Sequence, residues 1–118
     1  MSEKKEKSRR TIVVTGASAG LGRAIVRAFA KEGACIGLIA RGREGLDAAK
    51  RDVEQLGGKA IILPLDVANA SAMEQAAGEV EEELGPIDVW VNNAMTSVFS
   101  PIKKMTAEEF LRGYKVGN

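Results

Sequence analysis

The chain has 118 residues, 45% hydrophobic and 28% charged, with 17 Lys plus Arg against 16 Asp plus Glu. This is the profile of one globular domain rather than a disordered chain, and a formal charge of +1 gives no electrostatic reason to expect nucleic acid or an anionic membrane as partner. Histidine is absent and Cys35 is the single cysteine, which excludes a Ser-His-Asp or Cys-His pair, a histidine general base and a His/Cys zinc site, so no metal is expected. One cysteine cannot close an intrachain disulfide, which fits a reducing compartment, and a cytoplasmic location is expected. The apolar runs fall far short of the roughly 20 residues that cross a bilayer, and no targeting segment is read.

Residues 1–10 carry five basic side chains, Lys4, Lys5, Lys7, Arg9 and Arg10, without apolar periodicity, and are expected to be a disordered basic arm ahead of a domain over 11–118. Short aliphatic runs follow at Thr11 to Thr15, Cys35 to Ala40, Ala60 to Leu63 and Ile87 to Asn92. They are continuous rather than alternating, as in strands covered on both faces. Between them lie helical stripes. Leu21, Ala24, Ile25, Ala28 and Phe29 stop at Gly33, and Leu46, Ala49, Val53 and Leu56 stop at Gly57-Gly58. Met73, Ala76, Ala77, Val80 and Leu84 follow a capping box of Ser71 with Glu74 and end at Gly85-Pro86, and Thr106 with Glu109 makes a second box that opens a fourth helix.

Strand and helix thus alternate, which predicts an α/β fold: a Rossmann-type, doubly wound parallel sheet of order 3-2-1-4. The domain is expected to be incomplete, truncated after the fourth strand and the start of the following helix. Val89-Trp90-Val91 would then be an unprotected apolar edge.

Thr15-Gly16-Ala17-Ser18-Ala19-Gly20-Leu21-Gly22 stands where the first strand turns into the first helix. Gly16, Gly20 and Gly22 permit a tight turn, close approach of a ligand to the backbone and close helix packing. Ser18, Ala19 and Leu21 complete a loop whose free N–H groups, at the positive end of a helix dipole, suit a diphosphate. A purely structural turn is the alternative.

These residues resemble the short-chain dehydrogenases/reductases, whose Thr-Gly-x-x-x-Gly-x-Gly fingerprint is matched at Thr15, Gly16, Gly20 and Gly22. A second family motif, Asn-Asn-Ala-Gly, is nearly matched by Asn92-Asn93-Ala94-Met95, and a third, an Asp after the third strand, by Asp66 followed by Val67. The resemblance covers Thr11 to about Phe110. It implies a nicotinamide dinucleotide cofactor, hydride transfer to or from a carbonyl or alcohol substrate, adenine binding at Asp66, and homo-oligomers. Asp66 as a turn cap, and Asn92 and Asn93 as ties between loops, are the structural alternatives. Met95 stands where the family has glycine, and either tunes substrate fit or packs. Cys35 and Trp90 read as core.

After the second strand an acidic residue would select NAD by binding the ribose hydroxyls, whereas this chain has Arg41, with Arg43 close behind. Two guanidinium groups suit a 2′-phosphate, so NADP is expected over NAD, with solvated loop charges as the alternative. Ala19 departs from the basic residue that many NADP-using relatives carry before the second glycine.

The family's proton relay is a tyrosine with a lysine four residues later, supported by a serine. Here Tyr114 is followed at that distance by Asn118, and Lys115 is adjacent instead, so no catalytic residue is assigned. Three readings result: the cofactor-binding portion of an NADP-dependent oxidoreductase whose catalytic half is absent, a non-catalytic dinucleotide-binding or regulatory module pairing its sheet edge with a partner chain, or a non-functional fragment.

Overall fold

The computed structural model describes residues 9–93 and 104–106. In chain order the elements are β1 (Thr11–Thr15), α1 (Gly20–Ala30), β2 (Cys35–Ala40), α2 (Arg43–Gln55), β3 (Lys59–Pro64), α3 (Ala70–Leu84), β4 (Val89–Asn92) and β5 (Lys104–Thr106). All strand pairs are parallel, in the order β3-β2-β1-β4-β5. The expected 3-2-1-4 order is therefore present.

Every residue of β1 is buried, because this central strand is covered on both faces. The period-two alternation of side chains divides the core into two layers. Ile12, Val14, Ile36, Leu38, Val89 and Val91 face α1 and α2, where they meet Ile25, Val26, Phe29, Leu46 and Val53. Val13, Ile39, Leu63 and Trp90 face α3, where they meet Met73, Ala76 and Val80. Burying such side chains contributes about 1.5–3 kcal/mol each, enough to override local preference wherever the two conflict.

Conflicts occur at three places. The apolar stripe of α1 runs one residue later than expected, through Gly22, Ile25, Val26, Phe29 and Ala30, and leaves Leu21 and Ala24 exposed. Both registers have the helical spacing, and the bulky Val26 outweighs the small Ala24. Helix α3 is capped by Asn69, whose side-chain oxygen accepts from the Ala72 N–H at 3.0 Å, so Ser71 lies inside the helix and the expected Ser71–Glu74 box does not cap it. Thr106 ends β5, paired with Asn92, rather than capping a helix, and Glu109 lies outside the described residues. The ladder supplied by Lys104–Thr106 satisfies backbone groups that β4 would otherwise leave open. Among the described residues the sheet thus has five strands rather than four, and Trp90 and Val91 pair with β5 instead of forming an unprotected edge.

The arm expected over residues 1–10 lies outside the described residues except for Arg9 and Arg10. Arg9 donates to the sulfur of buried Cys35 at 3.8 Å, while Arg10 pairs with Glu32 at 3.4 Å and lies over the Phe29 ring. No described helix is long and apolar enough to cross a membrane.

Two contacts fix the helices, one against the sheet and one between α1 and α2. Gly37 lies beneath α3, where a Cβ would stand 2.7 Å from Cγ2 of the buried, β-branched Val80. Between α1 and α2, Asp52 Oδ2 accepts from Arg23 Nε at 2.8 Å and Arg27 Nε at 3.1 Å. The Arg23 hydrogen bond, aided by Arg27 and opposed by partial burial, holds the Asp52 carboxyl below its usual range.

Gly37→Ala is expected to lower stability by about 1–3 kcal/mol through overpacking, despite the better strand-forming residue, and Val80→Ala in the same chain should recover part of the loss. Urea denaturation of the two variants checks this, and an unchanged midpoint for Gly37→Ala would show that α3 has room to move. A carboxylate with a depressed folded pKa stabilises above its unfolded value, about 3.9, and loses that contribution as pH falls through the folded value. Asp52→Asn should therefore cost about 1 kcal/mol at pH 7, and its deficit relative to the parent should shrink as urea midpoints are followed below about pH 3.9. A deficit that stays constant in acid would contradict the assignment to this ion pair.

Candidate functional site

Because all the strands run the same way, their carboxyl ends lie along one edge of the sheet, and the segments that follow them form a rim there. The chain leaves β1 and β2 toward one face, through α1 and α2, and arrives at β4 through α3 on the other. A crevice between β1 and β4 is the consequence of that reversal, and open α/β sheets bind ligands at such a point.

The segment after β1 is shaped by two glycines with positive φ, Gly16 at 64° and Gly20 at 56°, and by one close approach. A Cβ at Gly22 would fall on the Gly16 carbonyl and stand 2.7 Å from Asn93 Nδ2. The same Gly16 oxygen accepts from Asn93 Nδ2 at 3.2 Å. One carbonyl is thus gripped from the helix side and from the end of β4. Ala17 is buried and its N–H donates to Ile39 O at 3.1 Å, which ties the loop to β2. Thr15 Oγ1 donates to Asn92 Oδ1 at 3.3 Å. The tying role read for the two asparagines is therefore present.

What the loop leaves open matters equally. Helix α1 begins after Ala19, which makes no side-chain cap, and its first turn has no acidic residue. Ala19, Gly20 and Leu21 are exposed and Ser18 is half-buried. Among the described side chains none caps this end of the helix, so its first-turn N–H groups face the crevice rim with the positive end of the dipole uncompensated.

After β2, Arg41 and Arg43 are exposed, and among the described residues neither has an ion-pair partner. Helix α2 also starts without a side-chain cap, at Gly42, and carries Glu44 in its first turn. The first turn of α2 lies against the glycine loop: a Cβ at Gly45 would stand 2.8 Å from Ser18 Cβ and 3.3 Å from Ser18 Oγ. Gly45 was not among the residues singled out by motif. Its only signal is that glycine weakens a helix by about 1 kcal/mol relative to alanine, a cost that wants a reason.

After β3, Asp66 is exposed and Val67 half-buried. Asp66 Oδ1 accepts from the Ala68 N–H at 2.9 Å, and its carbonyl accepts from Asn69 N at 2.9 Å. The turn-capping alternative for Asp66 is thus realised, and among the described residues Oδ1 rather than Oδ2 makes the turn's hydrogen bond. The structure therefore gathers Gly16, Ser18, Ala19, Gly20, Leu21, Gly22, Arg41, Arg43, Asp66, Val67 and Asn93 along the same rim. Ala94, Met95 and the tail with Tyr114, Lys115 and Asn118 lie outside the described residues. Cys35 and Trp90 are buried, as core residues should be.

A family model described as short chain dehydrogenase matches residues 10–117. A short chain dehydrogenase of Pseudocercospora fijiensis is 40% identical over 93 residues, which is 79% of this chain and 30% of that protein. The ketoacyl reductase HetN of Nostoc sp. is 44% identical over 85 residues, 72% of this chain and 30% of that protein. Among solved structures, L-sorbose reductase from Gluconobacter frateurii, complexed with NADPH and L-sorbose, superposes with a TM-score of 0.70 at 38% identity, covering 80% of this chain and 36% of that one. The chain thus spans about a third of the length of the relatives it matches. With the glycine loop, the parallel α/β sheet and the family model all in agreement, this chain belongs to the short-chain dehydrogenase family.

Proposed function

We propose that the chain is the cofactor-binding portion of a short-chain dehydrogenase and that its cofactor is NADP(H) rather than NAD(H). The observation that carries the reading is the uncapped start of α1. Elsewhere the chain spends a side chain on the same task, Asn69 at α3, worth about 1 kcal/mol. At α1 it places Ala19 and leaves the donors free, and a diphosphate would satisfy them while meeting the dipole.

Within this reading Gly16, Ser18, Ala19, Gly20, Leu21 and Gly22 surround the diphosphate. Arg41 and Arg43, which outnumber Glu44, would neutralise a 2′-phosphate through charge-assisted hydrogen bonds. Asp66, with Oδ1 engaged in its turn, presents its other oxygen to the adenine amino group beside Val67. Asn93 would lie toward the nicotinamide end, and the resemblance assigns Ala94, outside the described residues, to the same end. A bound nicotinamide supplies hydride transfer to or from a carbonyl or alcohol carbon. This chain's residues hold and orient that cofactor, and the 118 residues contain no Tyr-x-x-x-Lys pair to move the hydroxyl proton. The alternative of a module recruiting a partner strand directly to β4 is less favoured, since β5 pairs with Trp90, Val91 and Asn92.

NADPH at saturation should shift the amide signals of Gly16, Gly20 and Gly22, with no ketone reduction by the 118-residue chain. Unmoved amides in a folded sample would overturn the site, and measurable reduction would overturn the division of labour. Arg41→Ala should weaken NADPH binding about tenfold, the scale of one charge-assisted contact, and leave NADH within about twofold. Equal affinities of the parent chain for the two nucleotides would sink the NADP preference.

A further inference from the structure

We infer that Gly45 is a positioning residue for cofactor choice: by lacking a Cβ it lets the first turn of α2 seat on Ser18, and so sets the distance between the phosphate loop and the arginine-bearing turn. The inference rests on the NADP(H) reading above and adds a residue to it.

The argument begins with covalent geometry in the ligand. The 2′-phosphate and the 5′-diphosphate hang from the same ribose, so their separation is confined to a narrow range. A site that binds both needs its two anion-binding parts at a matching distance. NAD(H) has only the diphosphate and makes no such demand.

In this chain the two parts are on different connections. The diphosphate donors follow β1, from Gly16 to Gly22, and Arg41 and Arg43 follow β2. The register that aligns Thr15 with Ile39, and the Ala17 N–H to Ile39 O bond of 3.1 Å, fix the strand ends relative to each other. Beyond the strands, the connections meet at the Arg23 and Arg27 bonds to Asp52, farther along the helices, and, next to the strand ends, at the seam of Ser18 and Gly45. A Cβ there would stand 2.8 Å from Ser18 Cβ, closer than side-chain carbons pack, and both atoms sit one bond from their backbones. Neither can swing away as a long side chain would, so accommodation requires a shift of backbone.

The shift falls on α2 rather than on the loop. The loop is held at Gly16 by Asn93, at Ala17 by Ile39 and at Gly22 by the Gly16 carbonyl. The turn at Arg41 and Gly42 is exposed, and Gly42 makes no side-chain cap. A methyl group at residue 45 therefore moves Arg41 and Arg43 outward and leaves the diphosphate donors in place.

The test is titration of NADPH and NADH against the parent chain, Gly45→Ala, Ser18→Gly, and the double variant Ser18→Gly with Gly45→Ala, with thermal melting of each. Gly45→Ala should lose about tenfold in NADPH affinity and keep NADH within about twofold. Because Ser18 belongs to the phosphate loop, the double variant, which removes the opposing Cβ, is compared with Ser18→Gly alone and should show the same NADPH-to-NADH ratio. Equal loss for both nucleotides would place the effect in the phosphate loop and overturn the inference, as would an unchanged ratio in Gly45→Ala. If Gly45→Ala does not fold, the double variant decides: folding with the ratio of Ser18→Gly supports the seam, and folding without it overturns it. A parent chain that binds both nucleotides equally removes the 2′-phosphate reading and the inference with it. A parent that discriminates while Gly45→Ala keeps its ratio removes the inference alone.

Discussion

The carbonyl of Gly16 is the point on which the rim of the sheet depends. Helix α1 comes so near that residue 22 has no room for a side chain, and Asn93 from the end of β4 donates to the same oxygen at 3.2 Å. Through one atom the strand β1, the helix that follows it and the strand β4 are brought to a common geometry. Substituting Gly22 would do more than lose a flexible residue, because a Cβ on the Gly16 oxygen forces the helix away from the strand. The amide of Asn93 would then lose its acceptor. The glycine fingerprint therefore encodes packing first, and the opening toward an anion is what the packing leaves behind.

Set beside the other helix starts, that opening has an energetic meaning. Helix α3 meets one of its orphan donors with Asn69, an interaction worth about 1 kcal/mol. Helices α1 and α2 forgo it, with Ala19 and Gly42 at their caps. Both lie on the carboxyl-end rim, where donors without a protein partner remain available to solvent or to a ligand. Helix α3 starts on the same rim but is preceded by the turn at Asp66, which already spends a carboxylate oxygen on Ala68 N–H. The sites of forgone stability coincide with the positions proposed for the diphosphate and the 2′-phosphate.

Much of this was legible in the residues. Buried strands were readable from continuous aliphatic runs, since parallel strands covered on both faces need no polar positions, and the glycine spacing located the loop. Three features were not legible, for separate physical reasons. Leu21 and Gly22 both fit a helical stripe by spacing, and only the sheet beneath α1 decides which faces inward. Asn69 and Ser71 are both good caps, and the turn begun by Asp66 brings the chain into the helix at the earlier one. Thr106 looks like a helix cap in isolation, yet it lies in β5 against Asn92, a pairing separated in sequence and invisible to local pattern. Gly45 was silent for the opposite reason: nothing in its own segment marks it, and its meaning lies in Ser18, on another connection.

On the proposed reading, affinity and selectivity reside in groups of different kinds. The diphosphate meets main-chain donors fixed by the sheet, by Asn93 and by the glycine turn, and these are the same for either nucleotide. Selectivity lies with Arg41 and Arg43, two long side chains on the surface. A unit charge pair at 4 Å is worth about 1 kcal/mol in bulk water and about 4 kcal/mol at the effective dielectric of a protein surface. Two such contacts are enough to discriminate only if the ligand phosphate arrives within their reach. Flexible side chains absorb a small error in that distance at an entropic cost, but a displaced turn moves both at once. For that reason the spacing between the two connections, rather than the presence of arginine alone, is the quantity that a change of cofactor preference in this fold would have to alter.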